Sequence, residues 1–247
     1  MEVHKHPHHV THSKKWGEYL LEFIMLFLAV FLGFIAENIR ESTVEHQKER
    51  EYIHSMINDL KADTLKLNEV IAGYQWATQM QDTLITTFSA LQKGNNEALV
   101  KYLGGIMGYP DFIYSDATIQ QLKNAGGFRI FRNRNDIDSI MAYDAKVKRT
   151  LINEAYLARN YEQLQNLFKE TFNILKINRI MGASYFKDLN TKDFKLLLTQ
   201  DEHKLLTFFN QIVYYSISCK SRTLEMKETK MEATKLIKYL EKEYDMH

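Results

Sequence analysis

Proline, cysteine and an excess of either charge are nearly missing from this 247-residue chain. It has 2 prolines and 10 glycines, too few for an all-β fold, because the many tight turns of such a fold require both residues. The 1 cysteine excludes an intramolecular disulfide framework and a zinc site built on paired cysteines. Because 32 basic residues balance 31 acidic ones, no strong overall field attracts nucleic acid or an acidic partner. The remaining composition, with 45% hydrophobic residues, is globular and favours an all-α fold.

One long uncharged run interrupts the globular pattern near the start of the chain. Residues 23–36 read FIMLFLAVFLGFIA, and a mostly apolar stretch interrupted by Glu22, Glu37 and Asn38 extends from Tyr19 to Ile39. A helix of about 20 apolar residues spans a bilayer, so we predict a transmembrane helix over 16–39. Lys14, Lys15 and Trp16 anchor one end and Arg40 the other. A cleaved signal peptide and a buried core helix are the alternatives, although the small-residue cleavage pattern is missing.

Small residues lie on one face of this predicted span. On a helical projection, Glu22, Ala29, Gly33 and Ala36 share a narrow stripe, and Ala29 and Gly33 form a small-xxx-small pair. Small residues allow two helix backbones to approach closely in lipid, and a carboxylate there is costly unless it is paired, protonated or near the interface. We therefore predict that the stripe is a homo-oligomer interface. An ion or proton pathway is the alternative.

The charges that flank the span give a weak signal for its orientation. Basic residues are equally frequent on both sides within a comparable distance, but Lys14 and Lys15 lie directly at the edge of the span. We therefore expect the amino terminus in the cytoplasm and the carboxy-terminal part in the periplasm.

The tail over residues 1–15 is rich in histidine. Neutral imidazoles at short spacing bind zinc, nickel or copper, which makes the tail a candidate metal site. The candidate ligands are His4, His6, His8 and His9. A polar tail that simply precedes a membrane anchor is the alternative. Beside the basic edge of the span, the tail is also expected to favour anionic lipid headgroups.

After the span, the sequence predicts a charged neck and then a helical bundle. Residues 40–51, RESTVEHQKERE, are polar on nearly every side and predict a solvated helical neck. An apolar stripe in steps of three and four residues then predicts a helix of coiled-coil character, with Asp63 and Gln81 as polar interruptions. The stripe consists of Ile53, Met56, Leu60, Leu67, Val70, Tyr74, Ala77, Leu84, Phe88 and Leu91.

Capping and breaking residues divide the remainder into further helices. The first two of these helices are predicted over 97–103 and from Ser115 or Asp116 to Gly126. A long helix is predicted over 136–180 after a cap at Asn133 or Asn135, and breaks follow at Gly182 and at 190–191. The last helix is predicted from Asp201 to Tyr244. The apolar residues assigned to the last helix are Leu205, Leu206, Phe208, Phe209, Ile212 and Val213, then Leu224, Met231, Leu236, Ile237 and Leu240. We predict an all-α protein in which the transmembrane helix continues into a long helix. A soluble antiparallel bundle of about three long and several short helices follows over 52–247.

Arrangements typical of catalysis are scarce. Cys219 has no histidine near it in sequence, and such a cysteine is usually a small buried hydrophobic residue. The chain has no HExxH, GxSxG or P-loop motif. We interpret the arginine- and phenylalanine-rich segment 128–134 as a helix–loop–helix elbow whose arginines pair with Asp136, Asp138 or nearby acidic residues. A nucleic-acid surface is the alternative. We expect no enzymatic activity, no cofactor and no nucleic-acid partner.

Two stretches resemble a group of uncharacterised single-pass membrane proteins of Bacteroidota. The first combines the tail MEVHKHPHH with KKWGEYLLEFIMLFLAVFLGFIAENIRE and YIHSMINDLKADTLKL. The second, ATIQQLKNAGGFRIFRNRNDIDSIMAYD, is similar to the T-x-x-x-L-K-x-x-G-G-x-x-x-I-x-N stretch of that group's domain of unknown function. Its isoleucine corresponds to Ile130, so the spacing to Asn133 is one residue longer than in the motif. The resemblance implies a Gram-negative inner-membrane location and no particular activity.

These observations lead to two classes of function. The first is a membrane-anchored helical interaction or scaffold protein that self-associates, with lipid, a second copy of itself and other membrane proteins as partners. The second is a membrane sensor or regulator whose extracytoplasmic bundle binds a ligand. An oligomeric channel is a third reading. The short segment before Trp16 disfavours a signalling output domain on that side.

Overall fold

The computed structural model describes residues 15–93, 97–108, 110–183 and 196–246. The described chain is all-α, as predicted, and its extended pairing is limited to one bridge between Phe172 and Leu197. Two compact units divide between Arg50 and Glu51. The helices are α1 (Trp16–Thr86), α2 (Phe88–Gln92), α3 (Glu97–Tyr102), α4 (Ala117–Asn124), α5 (Arg134–Thr171), α6 (Ile174–Ala183) and α7 (Glu202–Glu243).

α1 contains both the long apolar run and the polar neck. The helix is 71 residues long and contains no proline, so nothing in its sequence removes a backbone donor. It ends at Thr86, so the last two residues of the predicted apolar stripe, Phe88 and Leu91, lie in α2 after a turn at Thr87. Residues 94–96 lie outside the described part of the chain.

Within the second unit, α1 and α5 run in the same direction. The hydroxyl of Tyr143 in α5 donates to Asp63 in α1 at 2.7 Å, and further along both helices Tyr74 lies 3.5 Å from Glu154. A parallel pair of helices requires a long connection, and residues 87–133, with α2, α3 and α4, return the chain to its starting end.

α7 runs antiparallel to both of these helices. Against α5, Thr229 lies 3.1 Å from Thr150, while the earlier Ser218 lies 3.3 Å from the later Asn160. Against α1, the ion pairs Lys61–Glu241 and Asp82–Lys220 give the same order. Three long helices therefore enclose one core.

The predicted apolar stripe of α1 forms one wall of this core. Nine of its ten members are buried and Phe88 is half-buried against the same cluster. Asp63 and Gln81 do not interrupt the stripe, since both are fully buried. Gln81 donates to the carbonyl of Gly105 at 2.7 Å. A Cβ at Gly105 would come within 2.6 Å of Met80, so only glycine permits this close approach.

Side chains cap the two later long helices as their sequences predict. Asn133 accepts from the backbone N–H of Asn135 at 3.0 Å at the start of α5. Asp201 accepts from the backbone N–H groups of His203 and Lys204 at the start of α7. At the end of α4, Gly126 adopts a φ of 65°, a left-handed conformation that favours glycine.

The single helix predicted over 136–180 is wrong near its end, because the chain divides there into α5 and α6. Phe172 leaves the helical conformation, and its fully buried ring packs 5.0 Å from that of Phe208. The interrupted backbone bonds are replaced across the bridge, where Asn173 donates to Leu196 at 2.8 Å and Leu198 to Thr171 at 2.9 Å. Gly182, a predicted break, is the last residue but one of α6, which ends at Ala183. Residues 190–191 lie outside the described ranges.

Candidate functional site

The first candidate surface is the apolar part of α1. Of the described helices, α1 is long and apolar enough to cross a membrane, and none of its most apolar window is buried. Its large side chains include Leu26, 69% exposed, and Val30, 74% exposed. A soluble protein rarely leaves so much contiguous apolar surface in water. The segment is therefore a candidate membrane span or signal anchor.

The predicted oligomer interface lies on one exposed side of this helix. Glu22, Ala29, Gly33 and Ala36 are all exposed, and a Cβ built on Gly33 meets no atom within 4 Å. A different face of the helix carries Phe23, Phe27 and Phe31, whose rings stack at 6.3 and 5.8 Å. The small-residue stripe is therefore not blocked by the chain's own bulky side chains.

The predicted histidine ligands lie in the tail before residue 15. His4, His6, His8 and His9 are outside the described residues, so the metal hypothesis stays a prediction. Within the described ranges, no group of three or more His, Cys, Asp or Glu side chains is placed to hold a metal ion.

The second candidate surface is an exposed apolar face of α7. Leu206, Val213, Ile217 and Leu224 are 44%, 38%, 59% and 63% exposed, and we call them the α7 outer stripe. Their spacing of seven, four and seven residues places them on one side of the helix. The apolar residues assigned to this helix from the sequence therefore divide between a buried face and an exposed one.

The buried face of α7 uses a separate set of residues. Its members include Leu205, Phe208, Phe209, Ile212, Tyr215, Cys219 and Met226. They recur every three or four residues, whereas the outer stripe repeats almost strictly by heptads. A helical-wheel projection of α7 alone separates these two sets of apolar residues, so the sequence did contain the signal for both faces.

Aromatic residues extend the outer stripe toward α5. A groove of about 560 Å³ between α5 and α7 is lined by Tyr156, Tyr214 and Ile217, with Ser221 beside them. Tyr156 and Tyr214 are 58% and 55% exposed. Exposed tyrosines beside aliphatic residues are typical of protein interfaces, because each supplies a large apolar surface with a polar end.

Polar groups are also buried between the helices. Glu154 is 6% exposed, one of its carboxylate oxygens has no hydrogen-bond partner, and burial raises its pKa to about 7 despite the opposing charge of Arg222. Arg222 donates to the carbonyl of Thr150 at 2.8 Å and pairs with Glu225. The bond from Arg222 to Thr150 ties α7 to α5, and Arg222 and Glu225 also line the groove between these two helices.

Two other buried carboxylates hold the connecting segments. Asp63 accepts from the backbone N–H of Ser115 at 2.8 Å, and its burial raises its pKa. Burial would raise the pKa of Asp144 as well, but its hydrogen bonds from Lys123 and Lys148 outweigh that effect and lower it. Each carboxylate fastens a loop or short helix to the bundle, which is a structural role.

One carboxylate that was predicted to pair with the elbow arginines has tyrosine partners. Asp136 is fully buried, and its two oxygens accept from the hydroxyls of Tyr239 and Tyr244 at 2.7 Å each. Tyrosines from the end of α7, rather than elbow arginines, therefore satisfy this carboxylate. Sequence reasoning missed them because they lie more than 100 residues away.

The single cysteine is placed in the core. Cys219 is fully buried, and that burial raises the pKa of its thiol to about 11. A protonated, enclosed thiol is neither a reactive nucleophile nor a metal ligand.

Comparison with protein-family models, with curated proteins and with solved structures finds no match for this chain.

Proposed function

We propose that this chain is a membrane-anchored helical scaffold that self-associates, with the α7 outer stripe as the contact between the soluble units of two copies. The observation that carries the proposal is the exposure of Leu206, Val213, Ile217 and Leu224 in heptad register. Apolar side chains repeated in this way are stabilised when a second helix covers them.

A second copy fits this surface because α7 itself places charged residues of opposite sign at the two edges, each held in an ion pair within the chain. On the α1 edge, Lys220 contacts Asp82, and on the α5 edge, Glu228 contacts Lys146. When two copies pack with α7 parallel, the lysine edge of one faces the glutamate edge of the other. An antiparallel arrangement would place like charges together, so complementarity favours the parallel pair.

The small-residue stripe of the span supports the same assembly. Gly33 offers no Cβ, and its added Cβ would have no intramolecular neighbour, so the backbone is open to a second helix. We place this assembly in the inner membrane of a Gram-negative bacterium, with the amino terminus in the cytoplasm and the second unit in the periplasm. The resemblance and the basic residues at the edge of the span support that placement.

Cysteine crosslinking of the full chain in membrane vesicles tests the soluble contact. We expect Ile217→Cys and Leu224→Cys each to give a disulfide-linked dimer on mild oxidation, because parallel helices place equivalent residues opposite each other. Asn166→Cys, at an exposed position of α5, is the matched control and should stay monomeric on a denaturing gel.

Two results would overturn parts of this proposal. If neither stripe position forms a crosslink although its introduced cysteine reacts with a thiol reagent, the stripe is excluded as the contact. Crosslinking of only one of the two positions would show an antiparallel pair, which contradicts the charge argument. The buried native Cys219 should not contribute dimer in either case.

A further inference from the structure

A second groove lies between α1 and the carboxy-terminal half of α7, beyond the outer stripe. Its volume is about 470 Å³, and its lining includes Lys227, Lys230, Lys235 and Lys238. All four lysines line the same groove, so their positive charges surround one opening. We call this the lysine groove.

The charge of the lysine groove is not neutralised by the protein. Of its four lysines, Lys235 pairs with Glu232 at 2.9 Å, while Lys227, Lys230 and Lys238 form no ion pair with any described residue. The neighbouring carboxylates are engaged elsewhere, since Glu228 binds Lys146 at 2.8 Å and Glu241 binds Lys61 at 2.7 Å. Three like charges on one side of a helix repel one another unless an anion lies between them.

The floor of the lysine groove is apolar. Ile71 of α1 and Met231 of α7 line it, and Met231 is 51% exposed. Asn68 and Thr234 are neutral neighbours able to form hydrogen bonds. A ligand that fits this lining carries a compact anionic group for the ammonium groups and an apolar part for Ile71 and Met231. The volume lies within the range of ordinary small-molecule sites.

We propose that the lysine groove binds a phosphate group carried on an apolar chain, the chemistry of an acidic phospholipid. Lysine binds phosphate as a point charge, so several lysines on one helix face accept a phosphate without a rigid fork geometry. The apolar floor distinguishes such an amphiphile from free phosphate. This inference does not rest on self-association, because the groove and the outer stripe use different side chains.

Calorimetric titration of the full chain in a neutral detergent tests the proposal, with dihexanoyl phosphatidic acid as the probe. We expect binding to wild type and a loss of affinity of about tenfold or more in the triple variant Lys227→Gln, Lys230→Gln, Lys238→Gln. The control triple variant is Lys101→Gln, Lys169→Gln, Lys204→Gln, which removes the same charge from exposed positions elsewhere and should bind as wild type does.

Three comparisons identify which feature of the groove or of the probe causes the measured binding. Equal affinity of the two triple variants would overturn the site, because it would show a general effect of net charge. Inorganic phosphate that binds as tightly as the amphiphile would overturn the apolar contribution. Dihexanoyl phosphatidylcholine that binds equally well would overturn the role of anionic charge. Circular dichroism checks that each variant retains its helical content.

Discussion

Glu154 is an ionisable side chain placed where its charge is costly. It lies among α1, α5 and the segment before α4, with Tyr74 at 3.5 Å and one carboxylate oxygen without a partner. Its burial raises its pKa to about 7; Arg222 opposes this effect and Asp111 adds to it. At pH 6 the carboxyl group is therefore mostly protonated, and at pH 8 it is mostly ionised.

The stability of the second unit is expected to fall as Glu154 ionises. A carboxyl whose pKa is higher in the folded chain than in the unfolded chain stabilises the fold at low pH, and this contribution is lost between about pH 4.5 and 7. The loss is on the order of 3 kcal/mol. Glu154→Gln should remove that part of the pH dependence, as measured by thermal unfolding at pH 5, 6, 7 and 8.

Glu170→Gln, at an exposed position of α5, is the control and should follow the wild-type profile. The raised pKa of Asp63 affects stability in the same direction in wild type, Glu154→Gln and Glu170→Gln. The difference between the unfolding profiles of wild type and Glu154→Gln therefore isolates the contribution of Glu154. Parallel unfolding profiles for wild type and Glu154→Gln would show that this carboxyl is not the group that titrates.

At the scale of single elements, α1 and α7 each carry more than one kind of surface. α1 carries an exposed apolar segment and, later, the buried stripe that forms one wall of the bundle. α7 carries a buried face, the outer stripe and the lysine groove along one helix. A helix that is apolar on more than one face is stabilised when each face is covered, and within the described chain α1 and α5 cover the buried face of α7 and leave the outer stripe exposed.

Gly33→Leu should lower the oligomeric state of the full chain in mild detergent, measured by light scattering. The bulky side chain separates two helix backbones that pack closely in lipid. Beyond the neighbouring residues and backbone of its own helix, no described atom lies within 4 Å of the added Cβ, so the substitution should leave the monomer undisturbed.

Phe31→Leu changes a residue on a different face of the span and is the matched control. It should retain the wild-type state. An unchanged oligomer in Gly33→Leu would show that the stripe of Glu22, Ala29, Gly33 and Ala36 is incidental, and the α7 outer stripe would then remain as the candidate contact.

At the scale of the whole molecule, the orientation across the membrane is the next quantity to measure. Because Cys219 is fully buried, an introduced cysteine can be labelled above a low native background. In intact spheroplasts, Asn166→Cys in the second unit should react with an impermeant thiol reagent. His6→Cys in the tail should react only after the membrane is permeabilised. The reverse pattern would overturn the proposed orientation and the periplasmic placement together.

Local sequence signals were enough to predict the helical class and most helix ends. The scarcity of proline and glycine, the buried stripe of α1 and the caps at Asn133 and Asp201 act within a few residues of where they lie. The apolar run of 16–39 was equally legible, because the length and hydrophobicity of a membrane-spanning helix are properties of one segment. These features required no knowledge of distant contacts.

The tertiary structure decided the features that depend on distant residues. Asp63 and Gln81 interrupt an apolar stripe in the sequence, but partners from other segments, among them Tyr143 and Gly105, allow both to be buried. The division after Thr171 arises because buried Phe172 pairs with a segment that lies 25 residues away, at Leu197. Which of the two apolar faces of α7 is buried was decided only when α1 and α5 covered one of them, since burial is a property of the packed chain and not of the residue.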